Sequence, residues 1–173
     1  MMLKNTQKSF TLAEILVYLG VFSIIITVVI SFILWMTRSN TKTKVMRETL
    51  NCAERAMKIM AYEVKEAESV YSPTTTSSQL SLKTKKYLPA GENRSYIDFY
   101  LCDSRICFKK ESQDPIFLTS DSIEVNNLAF TQVRSGNSSS VQIDLTVNYK
   151  NPTNRPEYEA SVHLTSTTSL RNY

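Results

Sequence analysis

The chain has 173 residues, of which 42% are hydrophobic and 21% are charged, and its formal net charge is +4. This composition is typical of a folded protein rather than a disordered one, and the length allows one domain with an appendage. The basic residues are scattered and form no stripe with interleaved aromatic residues, so direct nucleic-acid binding is not predicted.

The first element in chain order is an apolar segment near the N-terminus. Residues 15–37, ILVYLGVFSIIITVVISFILWMT, include no charged side chain. As a helix this segment would extend for about 34 Å, and a bilayer core is about 30 Å thick. A buried helix of a soluble protein is disfavoured, because no other segment is apolar enough to surround it. A cleaved secretory signal is also disfavoured, because ILWMTRSN (33–40) offers no pair of small residues for cleavage.

One acidic residue, Glu14, stands directly before this apolar run, within KSFTLAEILVYLG (8–20). A charge at the bilayer centre costs about 2.5–3.5 kcal/mol and less near the edge, so such a residue is a candidate for function. Its position is equally consistent with a side chain at the headgroup level that favours the helix N-terminus. From position alone, both interpretations stay open.

The residues around Glu14 resemble the prepilin signal of type IV pilins and type II secretion pseudopilins. In that family a short basic leader and a small residue precede Phe-Thr-Leu-x-Glu and a long apolar helix. The resemblance implies a leader at residues 1–9 and cleavage between Ser9 and Phe10 by a membrane aspartyl peptidase, which then methylates the new amine. The family usually has Gly before the cut, whereas this chain has Ser9.

The resemblance also gives Glu14 a role in assembly. Cleavage would leave a positive amine on Phe10, one helical turn from Glu14 of the same chain and within reach of Glu14 of a neighbouring subunit. Opposite charges 4 Å apart attract by about 4 kcal/mol at an effective dielectric constant near 20. Glu14 would therefore make assembly depend on processing, and it would set the axial register between subunits.

After the predicted transmembrane helix of residues 10–37, the sequence predicts an amphipathic continuation of the helix through residues 38–71. The other faces of this helix carry mixed charges, with Glu63 among them. A coiled-coil seam, a membrane-surface helix and a helix packed on a sheet are the three alternatives. The mixed charges disfavour the membrane surface, and the Ala and Met content together with the strands that follow favours the sheet. The apolar stripe has alternating steps of four and three, at Met46, Leu50, Ala53, Met57, Met60, Val64, Ala67 and Tyr71.

Residues 72–173 are predicted to form a globular β domain. Pro73 and the Thr/Ser run after it end the helix. The alternation of apolar and polar residues is clearest in VQIDLTVNY (141–149). The predicted fold class is therefore α+β and pilin-like, with a long N-terminal helix whose second half packs on an antiparallel sheet. The strand-like runs are QLSL, SYIDFYLC, RICFKK, IFLTS, SIEVNNLAFTQV, VQIDLTVNY and YEASVHLTS.

The residues that could carry chemistry are few. The three cysteines match no zinc spacing, and His163 falls on the wetter face of its strand. No phosphate-binding loop or catalytic motif is present in the sequence, so neither an enzyme, nor a metal, nor a cofactor is predicted. Cys102 and Cys107 flank DSRI in a proposed hairpin, where their Cα atoms could lie within the roughly 4.4–6.8 Å of a disulfide. Two reduced strand cysteines are the alternative, and Cys52 is expected to be free.

The resemblance extends, with weaker motifs, to ERAMKIMAYEVKEAESV (54–70) and the terminal SLRNY, which are similar to the larger minor pseudopilins and pilins of the J/W type. It implies a structural subunit of a type IV pilus, a type II secretion system or a DNA-uptake pseudopilus. Its partners would be the prepilin peptidase, other pilins and, before assembly, membrane lipid. The chain would cross the bacterial cytoplasmic membrane once, with the globular domain outside. The alternative is a single-pass, membrane-anchored envelope protein that binds a ligand or acts as a sensor.

Overall fold

The computed structural model describes residues 11–88, 90–135 and 138–171, and the chain divides into two compact units. The first unit runs to Asn40 and the second from Thr41 to Tyr173. One helix, one short 3-10 turn at Pro156–Tyr158 and eight strands are described. They are α1 (Leu12–Glu66), β1 (Ser69–Val70), β2 (Gln79–Thr84), β3 (Ser95–Cys102), β4 (Arg105–Lys110), β5 (Ile116–Phe117), β6 (Ile123–Ser135), β7 (Ser138–Tyr149) and β8 (Ser161–Ser169).

The second unit is a helix packed on antiparallel sheets, which confirms the α+β fold class. One face of α1 contributes Ala53, Met60 and Val64 to a core that also contains side chains from both sheets, such as Phe99 and Ile143. These five residues are completely buried. Small Ala residues and flexible Met residues let the helix approach the strands closely and fill irregular space. Of the three alternatives for this helix, packing on a sheet is the one observed.

The first sheet has five strands in the order β1-β2-β3-β4-β5, and all its neighbours are antiparallel. At its centre, β3 and β4 form the hairpin that the sequence predicts, with Cys102 opposite Arg105 across the turn. The two turn residues, Asp103 and Ser104, have φ angles of 49° and 58°. Two consecutive positive φ values are typical of the tight turn whose twist matches a β-hairpin.

The second sheet has three antiparallel strands in the order β6-β7-β8. Along β7, Val141, Ile143, Leu145 and Val147 are fully buried, as the alternating pattern predicts. Along β6 the register shifts between Val125 and Asn127, which is a β-bulge. The bulge inserts one residue into the strand. This insertion explains why the buried positions change from odd numbers to even numbers within one strand.

Two predictions about the helix are wrong in detail. The helix ends at Glu66 rather than at residue 71, because Glu68 and Tyr71 donate their backbone N–H groups to the carbonyls of Lys83 and Ser81 in β2. Ser69–Val70 therefore forms a strand. The Lys65 carbonyl at the helix end accepts a hydrogen bond from the Arg171 N–H, a partner far away in sequence.

The buried face of the helix is also wider than predicted and rotated at its start. Val45 is buried, whereas Met46 is 44% exposed. Thr49, Cys52 and Glu63 are buried as well, although Glu63 was assigned to a charged face. The helix packs against two sheets, so the side chains next to the predicted stripe are covered too.

Two strand predictions need correction. In IFLTS, only Ile116–Phe117 forms a strand, and both side chains are exposed, whereas the next two residues are buried. In YEASVHLTS, Tyr158 belongs to the 3-10 turn, and the strand begins at Ser161.

Candidate functional site

The predicted processing residues Ser9 and Phe10, together with the rest of the leader, lie outside the described residues. The described part of the site therefore begins at Thr11 and contains Glu14 in the first turn of α1. Both residues are exposed.

Thr11 fixes the start of the helix. Its Oγ1 accepts a hydrogen bond from the Glu14 backbone N–H at 3.3 Å, and its carbonyl oxygen accepts bonds from the N–H groups of Glu14 and Ile15. This is the arrangement of an N-cap threonine with an acidic residue three positions later. The first turn of a helix has unpaired N–H groups and a partial positive charge, both of which favour a carboxylate there.

Tyr18 lies one turn after Glu14 on the same face of the helix. Its hydroxyl donates to Oε1 of Glu14 at 3.5 Å, a long hydrogen bond. The contact gives the carboxylate a polar neighbour on the side of the apolar segment. Neither Thr11 nor Tyr18 was predicted to belong to this site. The Thr-x-x-Glu spacing is a sequence signal for the Thr11 cap, and the separation of four residues between Glu14 and Tyr18 places both side chains on one face of a helix.

The segment after Glu14 exposes an apolar surface. Its large apolar side chains from Leu12 to Met36 are between 41% and 79% exposed. Contiguous apolar exposure on this scale marks a surface that contacts lipid or other protein. Helix formation across many β-branched residues fits the same setting, since in lipid the backbone groups must bond within the segment.

The hydroxyl groups in this segment are satisfied within the helix. Ser23, Thr27, Ser31 and Thr37 each donate to a backbone carbonyl three or four residues earlier, at 2.8–2.9 Å. An unpaired hydroxyl is costly in an apolar environment, and this back-bonding removes that cost. These four hydroxyl groups therefore add no unpaired donor to the apolar surface of the segment.

Leu12–Glu66 is long and apolar enough to cross a membrane, with a mean hydropathy of 2.7 over its most apolar 18 residues. None of that window is buried. The structure therefore contains one helix that could span a bilayer.

In the second unit, the structure joins Cys102 and Cys107 in a disulfide with a Cα–Cα distance of 5.9 Å. Across the β3–β4 ladder Cys107 is opposite Tyr100, and Cys102 is opposite Arg105, so the bond runs diagonally between strands. Cys52 is a free cysteine buried on the helix.

Another acidic residue on α1, Glu63, is 4% exposed and contacts the loop after β2. The Tyr87 hydroxyl donates to Oε1 of Glu63 at 2.9 Å, while Oε2 accepts no hydrogen bond from the residues that the structure describes. Burial raises the pKa of Tyr87 above its ordinary value, and the hydrogen bond to Glu63 is the second cause of this increase. The Lys110 ammonium lies 3.9 Å from the centre of the Tyr87 ring, and Lys86 donates to the Tyr62 hydroxyl at 3.1 Å.

His163 is exposed on β8. Among the described residues no three His, Cys, Asp or Glu side chains are grouped so as to hold a metal ion.

Comparisons with protein-family models, curated proteins and solved structures find no match for this chain.

Proposed function

We propose that this chain is a minor pilin or pseudopilin, a structural subunit that a prepilin peptidase processes and that assembles through its N-terminal helix. The helix holds the subunit in the cytoplasmic membrane before assembly, and the globular unit lies outside the cytoplasm. The machine served is a type IV pilus, a type II secretion system or a DNA-uptake pseudopilus.

The observation that carries the proposal is one carboxylate at the start of an exposed apolar helix. Glu14 follows Ser9-Phe10-Thr-Leu-Ala in the order of the prepilin signal, and residues 15–37 behind it are uncharged. Its position in a capped first helical turn leaves the side chain exposed. A carboxylate in that place can form an ion pair with the positive N-terminal amine of another subunit. That amine forms only when the leader is removed.

The surface after Glu14 supports helix packing as well as membrane insertion. Lipid tails and neighbouring apolar helices are both suitable contacts for side chains such as Leu16 and Phe22, which are about 60% exposed. A subunit that moves from the membrane into a helical bundle needs such a surface in both states. The ion pair supplies the register that apolar contacts alone do not set.

The prolines favour a minor component over a bulk fibre subunit. All five lie beyond α1, at positions 73, 89, 115, 152 and 156. The chain therefore lacks the kinking proline that major pilins of the family have early in the spanning segment. Proline inside a helix removes a backbone hydrogen bond and bends the axis.

The mass of the mature N-terminus tests the proposal. We expect a chain that begins at methylated Phe10 and whose net charge falls from +4 to +2 through the loss of Lys4 and Lys8. A chain that begins at Met1 in cells with an active peptidase would instead support the alternative, a single-pass, membrane-anchored envelope protein that binds a ligand or acts as a sensor.

The residue before the cut supplies matched variants. Ser9→Gly should be processed at least as fast as the wild type, because it restores the residue that the family usually has there. Ser9→Leu should accumulate as precursor, because a large side chain is expected to block the peptidase. Equal processing of both variants, with and without the peptidase, would contradict cleavage at this site.

A further inference from the structure

A cleft opens at one end of the second sheet, where the chain passes from β7 to β8. Its volume is about 380 Å³, which is within the range of small-molecule sites, and all its lining residues lie between Asn148 and Ser161. The cleft includes no part of the helix start or of the apolar segment on which the proposed function depends.

The connection that forms the cleft is braced by its own contacts. Oδ1 of Asn151 accepts the backbone N–H of Arg155 at 3.1 Å, and Nδ2 of Asn151 donates to the Arg155 carbonyl at 2.9 Å. Asn154 has a φ angle of 49°, a conformation that asparagine adopts more readily than most residues. The rings of Tyr149 and Tyr158 stack with their centroids 6.1 Å apart. A ligand would therefore have little of this loop to order when it binds.

The cleft offers polar side chains that the loop does not use. Oδ1 of Asn148 is buried and accepts no hydrogen bond from the residues that the structure describes. A buried acceptor without a donor is destabilising. The side chains of Asn154, Glu159 and Ser161 also line the cleft, and all three residues are exposed. These four side chains are available to a ligand.

The chemistry of the lining favours a neutral ligand with hydroxyl groups. The two charged residues in the lining are Arg155 and Glu159, and Nε of Arg155 already lies 3.6 Å from Oε1 of Glu157. The amides both donate and accept hydrogen bonds, as sugar hydroxyls do. Tyr149 and Pro156 add apolar surface that suits the carbon-bound hydrogens of a sugar ring.

A neutral strip on the second sheet continues from the cleft. Asn148 and Ser161, which line the cleft, are opposite each other in the β7–β8 ladder. Asp144 is the only charged residue of the strip, and it accepts hydrogen bonds from Thr165 at 2.6 Å and from Gln142 at 3.1 Å. The strip is about 26 Å long, so it suits a neutral polymer better than a charged one. Its further cross-strand pairs are Thr146–His163, Asp144–Thr165, Gln142–Thr167 and Ser140–Ser169.

We propose that the cleft binds one sugar of a glycan chain of N-acetylated hexosamines, with the next sugars lying along the neutral strip. The glycan backbone of the bacterial cell wall is such a chain, and it lies outside the cytoplasmic membrane. The inference rests on the proposed function only for the location of the globular unit. Oδ1 of Asn148 accepts the acetamido N–H of the sugar, while Asn154 and Glu159 bond to its hydroxyl groups.

Calorimetric titration of the full chain, in a detergent without a sugar headgroup, tests the site. The β-1,4-linked tetramer of N-acetylglucosamine should bind saturably, and more tightly than the dimer, because the longer chain also contacts the strip. Maltotetraose, a neutral glucose chain without acetamido groups, should bind more weakly by about tenfold or more, because it gives Asn148 no N–H donor.

Variants of the loop place the binding in the cleft. Asn154→Gly keeps the positive φ angle and removes the amide, and Glu159→Ala removes the carboxylate. Each should weaken binding of the tetramer by about fivefold, the effect of one lost hydrogen bond. Thr153→Ala is the matched control, since Thr153 belongs to the same loop but does not line the cleft, and it should bind as the wild type does.

The absence of saturable binding, equal affinity for the two tetrasaccharides, or wild-type affinity in both Asn154→Gly and Glu159→Ala would each overturn the proposal. None of these measurements depends on cleavage or assembly. Their failure therefore leaves the proposed function standing, and a mature chain that begins at Met1 would leave the glycan result standing.

Discussion

Two glutamates of α1 show how the surroundings decide what an acidic side chain does. Glu14 is exposed in the first turn, where Thr11 caps the helix. Glu63 is buried in the last turns and bonded to Tyr87. The apolar neighbours of Glu14 made it conspicuous in the sequence. Glu63 was indistinguishable from the charged residues around it, because its burial depends on a loop more than twenty residues away.

Glu14→Gln should insert into the membrane normally but fail to crosslink to partner pilins. Glutamine keeps the shape of the side chain and removes the charge that the proposed amine of Phe10 would meet. Membrane fractionation measures insertion, and crosslinking to partners in cells measures assembly. Thr11→Ala is the matched control, because it weakens the helix start by about 0.5–2 kcal/mol and keeps the acid. Normal incorporation of Glu14→Gln would reduce Glu14 to a helix-start residue.

Tyr87→Phe should destabilise the protein by about 1–3 kcal/mol, because it leaves a buried Glu63 oxygen without its donor. Denaturant unfolding of the full chain in detergent measures the change. Tyr100→Phe is the control, since its hydroxyl makes no hydrogen bond to the described residues. The double variant with Glu63→Met should lose less than the sum of its single variants. Additive losses would show that the two side chains are not coupled.

Alkaline pH probes the same contact. The folded-state pKa of Tyr87 is raised, so its contribution to stability is complete below about pH 10 and is lost as pH rises through the folded-state value. The pKa of Tyr149 is raised by burial as well. We expect Tyr87→Phe to reduce the loss of stability above pH 10 without removing it. An unchanged pH profile would argue against the Tyr87 assignment.

At the scale of elements, the β3–β4 hairpin followed from local sequence, whereas the end of α1 and the bulge in β6 depend on contacts that are distant in sequence. The β3–β4 hairpin was predictable because a two-residue turn separates two β-rich runs. The end of α1 was not, because the backbone of residues 68–71 bonds to β2 and a C-terminal residue covers the Lys65 carbonyl. The spacing of Val64 and Ala67 fits a helix that ends at Glu66 as well as one that continues to residue 71. The bulge in β6 is likewise set by its pairing with β7.

The β3–β4 hairpin carries a redox prediction. Alkylation of the exported protein without reductant should leave Cys102 and Cys107 unlabelled, with Cys52 reacting only after unfolding. Peptide mass mapping reads the result. Replacing both Cys102 and Cys107 by serine should cost about 2 kcal/mol, a low value because the closed loop is short. Label on both hairpin cysteines without reductant would refute the bond and weaken the case for an oxidising compartment.

At the scale of the whole molecule, charge and motif disagree about orientation. Arg38, Lys42, Lys44 and Arg47 follow the apolar segment, whereas Lys4 and Lys8 precede it. The count of basic residues alone slightly favours a globular unit inside the cytoplasm. The proposed prepilin signal would instead place the leader on the cytoplasmic side, where the peptidase acts. The proposed cleavage would also remove Lys4 and Lys8 with the leader, so an experiment must separate the two criteria.

A cysteine in the β2–β3 loop decides between them. Glu92 is exposed there, and Glu92→Cys leaves the described hydrogen bonds and ion pairs intact. Because the proposal places the globular unit outside, a membrane-impermeant maleimide should label this variant in intact spheroplasts as fully as after lysis. The wild type is the background control, since Cys52 is buried and the other two cysteines are bonded. Labelling only after lysis would put the globular unit in the cytoplasm, away from any pilus or pseudopilus, and would reverse the proposed topology.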